Sequence, residues 1–175
     1  VMQASGFLME LVNNVLNMNK LESGEMKPEN KPFDLIELLT ETTSIIEMQG
    51  QEYAIHFQMQ MGKHKYRHLI GSPLYLKQVL QNIGGNAVKY NRAGGAVTFA
   101  SEDVAYSDGR VVVKFTCTDT GRGMSREFLV HAFEPFSQEN TDARTTFTGT
   151  GLGLAITKQM VELMEGTISL KSEQN

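Results

Sequence analysis

A helix predicted from Pro73 to about residue 90 constrains the fold most, because it carries two different stripes. Ser72 supplies an N-cap residue and Pro73 suits the first helical position. At about 100° per residue, apolar side chains gather on one face that must be buried: Leu76, Val79, Leu80, Ile83 and Ala87. The helix therefore needs a core on one side and leaves a neighbouring face for other contacts.

The second stripe consists of Asn82, Asn86 and Lys89 and lies about 120° from the centre of the apolar stripe. Two amide oxygens and a cation on one face suit a hydrated magnesium ion with its attached phosphates. The alternative is that they are ordinary residues at the edge of the core. Gly84 and Gly85 each cost about 1 kcal/mol relative to alanine inside a helix, which indicates a close approach to the backbone.

The rest of the chain predicts alternating helices and strands without repeats. Helices are expected over about 36–49, 125–132 and from Leu152, and strands near 53–61, 96–104, 111–118 and 166–170. The turn at 107–109 joins two of these strands, and the polar stretch 137–148 suits a mobile lid. We therefore predict an α/β (α+β) two-layer sandwich, with a mixed sheet covered on one face by helices.

The N-terminal residues form a separate segment. Residues 2–21 have the apolar spacing of an amphipathic helix, and a stretch rich in glycine and proline follows. We predict a helical segment over 1–22, a linker over 23–32 and a globular domain over 33–175.

Composition excludes several classes of protein. A net charge of -4 gives no basic field for nucleic acid, and no stretch reaches the ~20 apolar residues of a membrane span. The single cysteine, Cys117, excludes an intrachain disulfide and is expected in the core. These features predict a cytoplasmic domain without membrane contact, and they leave open whether its parent protein is anchored in a membrane.

The motif from Asp119 to Met124 (Asp-Thr-Gly-Arg-Gly-Met) follows the strand predicted over 111–118. A carboxylate at a strand end can accept a hydrogen bond from the exocyclic amine of adenine, whereas the carbonyl of guanine would be repelled. Gly121 and Gly123 would let a flat base approach the main chain. A plain turn is the alternative.

A third motif, Gly149-Thr150-Gly151-Leu152-Gly153, opens a helix. Exposed amides at a helix start bind phosphate oxygens. Alone, this glycine cluster is weak evidence, since it fits neither the Walker pattern nor a dinucleotide-binding turn.

In this order and spacing, the motifs resemble those of the GHKL ATPase superfamily, and closely those of its histidine-kinase branch. The resemblance rests on an N box at 82–90, a glycine box at 119–124, an F box at Phe133-Glu134-Pro135-Phe136 and a second glycine box at 149–153. It implies a five-stranded mixed sheet covered by about three helices, the Bergerat fold, with an N-terminal helix from the dimerisation region. The closing strand after Ser172 is missing.

The resemblance also implies roles for individual residues. Asn86 would bind Mg²⁺, while Asn82, Lys89 and Arg144 would act on the triphosphate of ATP. Tyr90 and Asp119 would lie at the adenine, with Gly121, Gly123 and Met124 beside them. Phosphate amides would come from Gly149, Thr150, Gly151, Leu152 and Gly153, and Phe133 and Phe136 would anchor the lid.

The implied function is transfer of the γ-phosphoryl group of ATP to a histidine in a sensor kinase of the hybrid type. A hydrolytic relative has a glutamate where this chain has Asn82, which cannot accept a proton at neutral pH. The expected partners are a phosphoacceptor helix in a homodimeric parent protein and a response-regulator receiver domain. The alternatives are a degenerate module that only binds a partner and a hydrolytic ATPase.

Some positions depart from the family pattern. The four histidines, His56, His64, His68 and His131, lack the sequence context of the phosphoacceptor. Ser72, Tyr75 and Glu165 stand where aspartate, arginine and glycine are common; of these, only Ser72 has a physical account, as an N-cap.

Overall fold

The computed structural model describes residues 27–139 and 149–174, together with residues 12, 15, 16, 19, 20 and 23–25. The chain divides into two units, residues 30–123 in one and residues 124–174 with the described residues before 30 in the other. Most of the helix predicted over 2–21 lies outside the described residues.

The unit of residues 30–123 contains two long helices and two sheets. Its elements are β1 (Lys31–Asp34), α1 (Leu35–Glu52), β2 (His56–Met61), β3 (His68–Gly71), α2 (Pro73–Lys89), β4 (Ala96–Ser107) and β5 (Arg110–Asp119). Strands β1 and β3 form an antiparallel pair, whereas β2, β4 and β5 form a mixed sheet in which β2–β4 is parallel and β4–β5 antiparallel. The predicted fold class is confirmed. The described strands form two sheets instead of the one five-stranded sheet that the resemblance implies, and β1 and β3 were not among the predicted strands.

Side chains along each strand point alternately to the two faces of the sheet. Both helices pack on the same face of the three-stranded sheet. Val97 and Phe99 of β4 share a buried core with residues of both helices: Leu35, Leu38, Leu39, Ile46, Leu80, Ala87 and Val88. Asp119 lies opposite Val97 in the β4–β5 register. Paired residues point to the same face of a sheet, so Asp119, the last residue of β5, lies on the same face as the core residue Val97.

Two boundaries differ from the predictions. The strand expected from residue 53 begins only at His56, because α1 continues to Glu52 and closes through an Ile55 N–H bond to Gly50 O of 2.9 Å. Ile55 is buried as a helix-capping residue and not as part of a strand. At the start of α2, Ser72 occupies the N-cap position, but its side chain makes no capping hydrogen bond.

The other unit contains α3 (Arg126–His131) and α4 (Gly153–Leu163), close to the predicted helices. The strand expected over 166–170 is wrong, because residues 166–174 pair with no strand in the described chain. The alternation of apolar residues at Ile168 and Leu170 does not make a strand without hydrogen bonds to a partner strand. No helix among the described residues combines the length and apolar character needed to cross a membrane.

Candidate functional site

Two residues of the polar stripe of α2, Asn86 and Lys89, leave their ligand-binding atoms available. Asn82, Asn86 and Lys89 are all half-buried. The side chain of Asn86 makes no hydrogen bond to any described residue, and the Lys89 ammonium lies 5.4 Å from the centre of the Tyr90 ring without an ion pair in the described part of the chain. An amide oxygen and an ammonium are therefore free to meet an anionic ligand and its cation.

The two glycines of α2 have different explanations. A Cβ at Gly84 would lie 2.5 Å from Cδ1 of Ile46, so the close approach predicted there is the packing of α1 on α2. A Cβ at Gly85 would meet nothing within 4 Å. Gly85 lies within about 60° of Asn82 and Lys89 on the helix, so it leaves open space beside the polar stripe.

Asp119 is held by the turn that follows it. The Gly121 N–H donates to Asp119 Oδ1 at 2.8 Å, and a Cβ at Gly121 would lie 2.7 Å both from that oxygen and from Tyr90 O. Gly123 has a positive φ of 70°. The second carboxylate oxygen of Asp119 has no hydrogen-bond partner in the described chain, and the residue is exposed. An oriented acceptor with a vacant oxygen suits an amine ligand.

The end of α2 and the Asp119 turn lie side by side. The Arg122 N–H donates to Tyr90 O at 3.3 Å, and the Arg122 guanidinium carbon lies 5.0 Å from the centre of the Tyr90 ring. Such a cation–π contact favours this arrangement of the turn. The structure thus brings together the N box and the first glycine box around Tyr90, and it adds Arg122, which sequence reasoning missed.

Two further residues that sequence reasoning missed are Asn91 and Thr120. Thr120 Oγ1 donates to Asn91 Oδ1 at 3.2 Å, across 29 residues of sequence. In the sequence, Asn91 is followed by Arg-Ala-Gly-Gly and indicates only a turn. The contact comes from the tertiary fold, and no local signal could have found it.

The glycine box at 149–153 is built against the F box inside the second unit. Gly151 has a φ of 71°, and a Cβ there would lie 2.7 Å from the carbonyl carbon of Phe136. Gln138 Nε2 donates to Gly149 O at 2.7 Å, and Thr150 Oγ1 accepts the Leu152 N–H at 3.3 Å. Helix α4 starts at Gly153 without a side-chain cap, and N–H groups at a helix start can bind an anion.

Other predictions for this unit have mixed outcomes. Phe136 is 66% exposed, so its assignment as a buried anchor is wrong: its positive φ of 62° turns its backbone toward Gly151 instead. Phe133 is half-buried, with Lys158 Nζ 6.0 Å from its ring centre. Met124 N–H donates to Ser172 Oγ at 2.9 Å, and Arg144 lies outside the described residues.

A second acidic residue, Asp103 in β4, has quite different surroundings. It accepts hydrogen bonds from His64 Nδ1 at 2.7 Å, from the Lys65 N–H at 2.8 Å and from the Tyr106 hydroxyl. Burial opposes ionisation of Asp103, but these hydrogen bonds outweigh it and lower the pKa of the carboxyl below its ordinary value. No group of three or more His, Cys, Asp or Glu side chains in the described chain is arranged to hold a metal ion.

Comparisons with known proteins agree with the resemblance of the motifs. The family described as histidine kinase-, DNA gyrase B-, and HSP90-like ATPase matches residues 71–175. The chain is 32% identical to the sensor histidine kinase GacS of Pseudomonas protegens over 94% of its own length and 18% of that protein. It is 29% identical to the peroxide stress-activated histidine kinase mak1 of Schizosaccharomyces pombe over 99% of its length and 11% of that protein. The chain therefore spans less than a fifth of these relatives.

Among solved structures, full-length ShkA in complex with AMPPNP superposes with a TM-score of 0.80. The match has 28% sequence identity and covers 98% of this chain and 35% of ShkA. The similarity thus includes nearly all of the present chain but only about a third of ShkA.

Proposed function

We propose that this chain, which belongs to the family of histidine kinase-, DNA gyrase B-, and HSP90-like ATPases, binds magnesium-ATP and transfers the γ-phosphoryl group to a histidine. Its relatives GacS and mak1 are histidine kinases. The observation that carries the proposal is the vacant oxygen of Asp119 beside the end of the helix that presents Asn86 and Lys89.

Adenine recognition follows from the chemistry of Asp119. Its free oxygen accepts a hydrogen bond from the exocyclic amine of adenine, and a charge-assisted bond of this kind contributes about 1.5 to 3 kcal/mol. Gly121 is buried, and a Cβ there would meet Asp119 Oδ1 and Tyr90 O, so its small size serves the turn itself. Gly123 and Tyr90 are the residues that we place beside the base. Guanine presents a carbonyl oxygen to the same carboxylate, so we expect ATP to be preferred over GTP.

We assign phosphate binding to the polar stripe of α2 and to the second glycine box. The Asn86 amide oxygen is a hard ligand of the type that Mg²⁺ accepts, and it has no competing partner among the described residues. The metal, when bound, neutralises charge on the triphosphate. Asn82 would support the phosphates and the metal's waters, and Lys89 and Arg144 would add positive charge. The amides of Gly149, Gly151 and Gly153 would bind phosphate oxygens, whereas the Leu152 N–H already donates to Thr150 Oγ1.

The choice between kinase and hydrolase rests on Asn82. Hydrolysis needs a base to activate water, and an amide cannot serve. A neutral imidazole is already a nucleophile, so transfer of the γ-phosphoryl group to histidine needs positioning and charge neutralisation. ATP and histidine then give ADP and phosphohistidine. We propose that the acceptor lies on a dimerisation helix outside this chain and passes the phosphoryl group to an aspartate of a response regulator.

The test is magnesium-ATP titration by calorimetry for the wild type and Asn86→Ala, with the exposed Asn30→Ala as the matched control. We expect Asn86→Ala to lose the magnesium-dependent part of the affinity, while Asn30→Ala binds like the wild type. Absence of heat and of a thermal shift at millimolar nucleotide would remove the proposal in favour of a module that only binds partners. Rapid phosphate release by the chain alone would point to hydrolysis.

A further inference from the structure

A closed ring of hydrogen bonds holds the turn that carries Asp119. Ala96 O accepts two bonds, from Asn91 Nδ2 at 3.0 Å and from the Thr120 N–H at 3.1 Å. The Thr120 hydroxyl accepts from the Ala96 N–H at 2.9 Å and donates to Asn91 Oδ1 at 3.2 Å. A hydroxyl has one proton to donate, so Thr120 commits that proton, along with one acceptor position, to the ring.

The ring connects three elements. The β4–β5 register ends with Asp119 opposite Val97, and the Thr120 side chain then continues the pairing one residue further by accepting the Ala96 N–H. Asn91 directly follows Tyr90, the C-cap of α2. The turn that holds the base-binding carboxylate is thus fastened to the helix that carries the proposed metal ligand.

The ring is also closely packed. A Cβ at Gly95 would lie 2.2 Å from Asn91 Oδ1 and 2.7 Å from Thr120 Oγ1. Any side chain at that position would displace one of the two groups. Asn91 and Thr120 are both at least partly buried, so water competes poorly for these bonds.

From this geometry we propose that Asn91 and Thr120 are positioning residues that set the preference for adenine over guanine nucleotides. The inference rests on the proposed function. A hydrogen bond to the adenine amine weakens steeply with misalignment, so the Asp119 carboxylate must stay where the ring holds it. Rejection of guanine depends on the same rigidity, because a carboxylate that can swing away no longer opposes the guanine carbonyl.

The test compares Thr120→Val, which keeps the shape and removes the hydroxyl, with Thr120→Ser, which keeps the hydroxyl. Calorimetry of the 175-residue chain with magnesium-ATP and magnesium-GTP gives both affinities. We expect Thr120→Val to raise the Kd for ATP about tenfold and to lower the ATP-to-GTP affinity ratio by a similar factor, since two hydrogen bonds are lost. Thr120→Ser should remain near the wild type.

Asn91→Leu is the second variant, and it keeps the proposal testable if Thr120→Val does not fold. It should also lower the ATP-to-GTP ratio, and the double variant should be no worse than the more affected single one, because both residues act through one ring. A parallel loss of ATP and GTP affinity, or an unchanged ratio in both variants, would overturn the positioning role.

Asp119→Ala separates this inference from the proposed function. If Asp119→Ala binds ATP like the wild type, adenine is bound elsewhere and the proposed site itself fails. If Asp119→Ala loses ATP binding while Thr120→Val and Asn91→Leu keep both affinity and selectivity, only the positioning role fails.

Discussion

Asp119 lies at one end of the β4–β5 strand pair and Asp103 near its middle, and the two acids have opposite surroundings. Six positions of β4 separate Asp103 from Val97, the partner of Asp119, which corresponds to about 20 Å. The Asp103 side chain is 3% exposed and accepts three hydrogen bonds from its own chain. Asp119 is exposed and accepts one, from Gly121. A carboxylate saturated by internal donors stabilises the fold, whereas one with a vacant oxygen can bind a ligand.

The surroundings of Asp103 show why geometry alone does not define a catalytic site. His64 Nε2 lies 3.0 Å from Ser101 Oγ and Nδ1 lies 2.7 Å from Asp103, the order of groups found in nucleophilic triads. However, Ser101 is only 2% exposed, and the His64 side chain only 3%, so a substrate cannot reach the hydroxyl. The cluster holds the segment between β2 and β3 against β4.

The contrast between the two acids would be refuted most clearly if neutralising Asp119 left ATP binding unchanged. We expect Asp119→Asn to weaken ATP binding by about 1.5 to 3 kcal/mol, roughly 10- to 150-fold, because a charge-assisted bond becomes neutral and misdirected. The midpoint of urea unfolding should hardly change, because the residue is exposed and has a single internal donor. Calorimetry and urea titration of the same sample measure both quantities, and wild-type ATP affinity would place the base elsewhere.

Asp103→Asn should give the opposite pattern. We expect a loss of about 2 kcal/mol in the free energy of unfolding, since the amide cannot accept all three hydrogen bonds and the buried His64 ring loses its charged acceptor. ATP affinity should stay within about twofold of the wild type, because the two acids are about 20 Å apart. If the variant is as stable as the wild type, the three hydrogen bonds contribute nothing measurable and the contrast with Asp119 disappears.

The pH dependence sharpens the same contrast. The pKa of Asp103 in the folded chain is lowered from its ordinary value of 3.8. Its ionised form therefore contributes stability that is complete above about pH 3.8 and is lost as the pH falls through the lower folded value. The free energies of unfolding of the wild type and of Asp103→Asn, measured in urea, should become equal as the pH falls below that value. A difference that stays constant there would mean that the charge of Asp103 is irrelevant.

Local patterns predicted much of this molecule. The proline and apolar spacing of α2 placed it correctly, and the turn at Ser107-Asp108-Gly109 lies between β4 and β5 as expected. Asp119 was singled out because a strand end followed by glycines is visible in sequence, and the structure does end β5 at this residue. These features depend on residues within a few positions of each other.

What sequence could not predict depends on contacts between distant residues. The Thr120–Asn91 bond requires β5 to lie beside the end of α2, and the need for glycine at position 84 comes from Ile46 of α1. The start of β2 was placed too early, because the alternation of Tyr53 and Ile55 continues through a helix C-terminus. The strand over 166–170 failed because alternation does not show whether a partner strand is present.

Cys117 offers the finest test, because it lies two residues before Asp119. Burial, and to a lesser degree the Asp119 carboxylate, raise the pKa of this thiol to about 12 from an ordinary value of 9.0. The thiolate is then about a thousandfold rarer than in the unfolded chain at pH 8, so alkylation by iodoacetamide should be slower by up to that factor. Asp119→Asn should speed the reaction of the folded chain only severalfold, since burial is the larger cause. An increase beyond tenfold would show that the charge of Asp119 is far less screened by solvent than its exposed position implies, and the distinction between the two acids would then need revision.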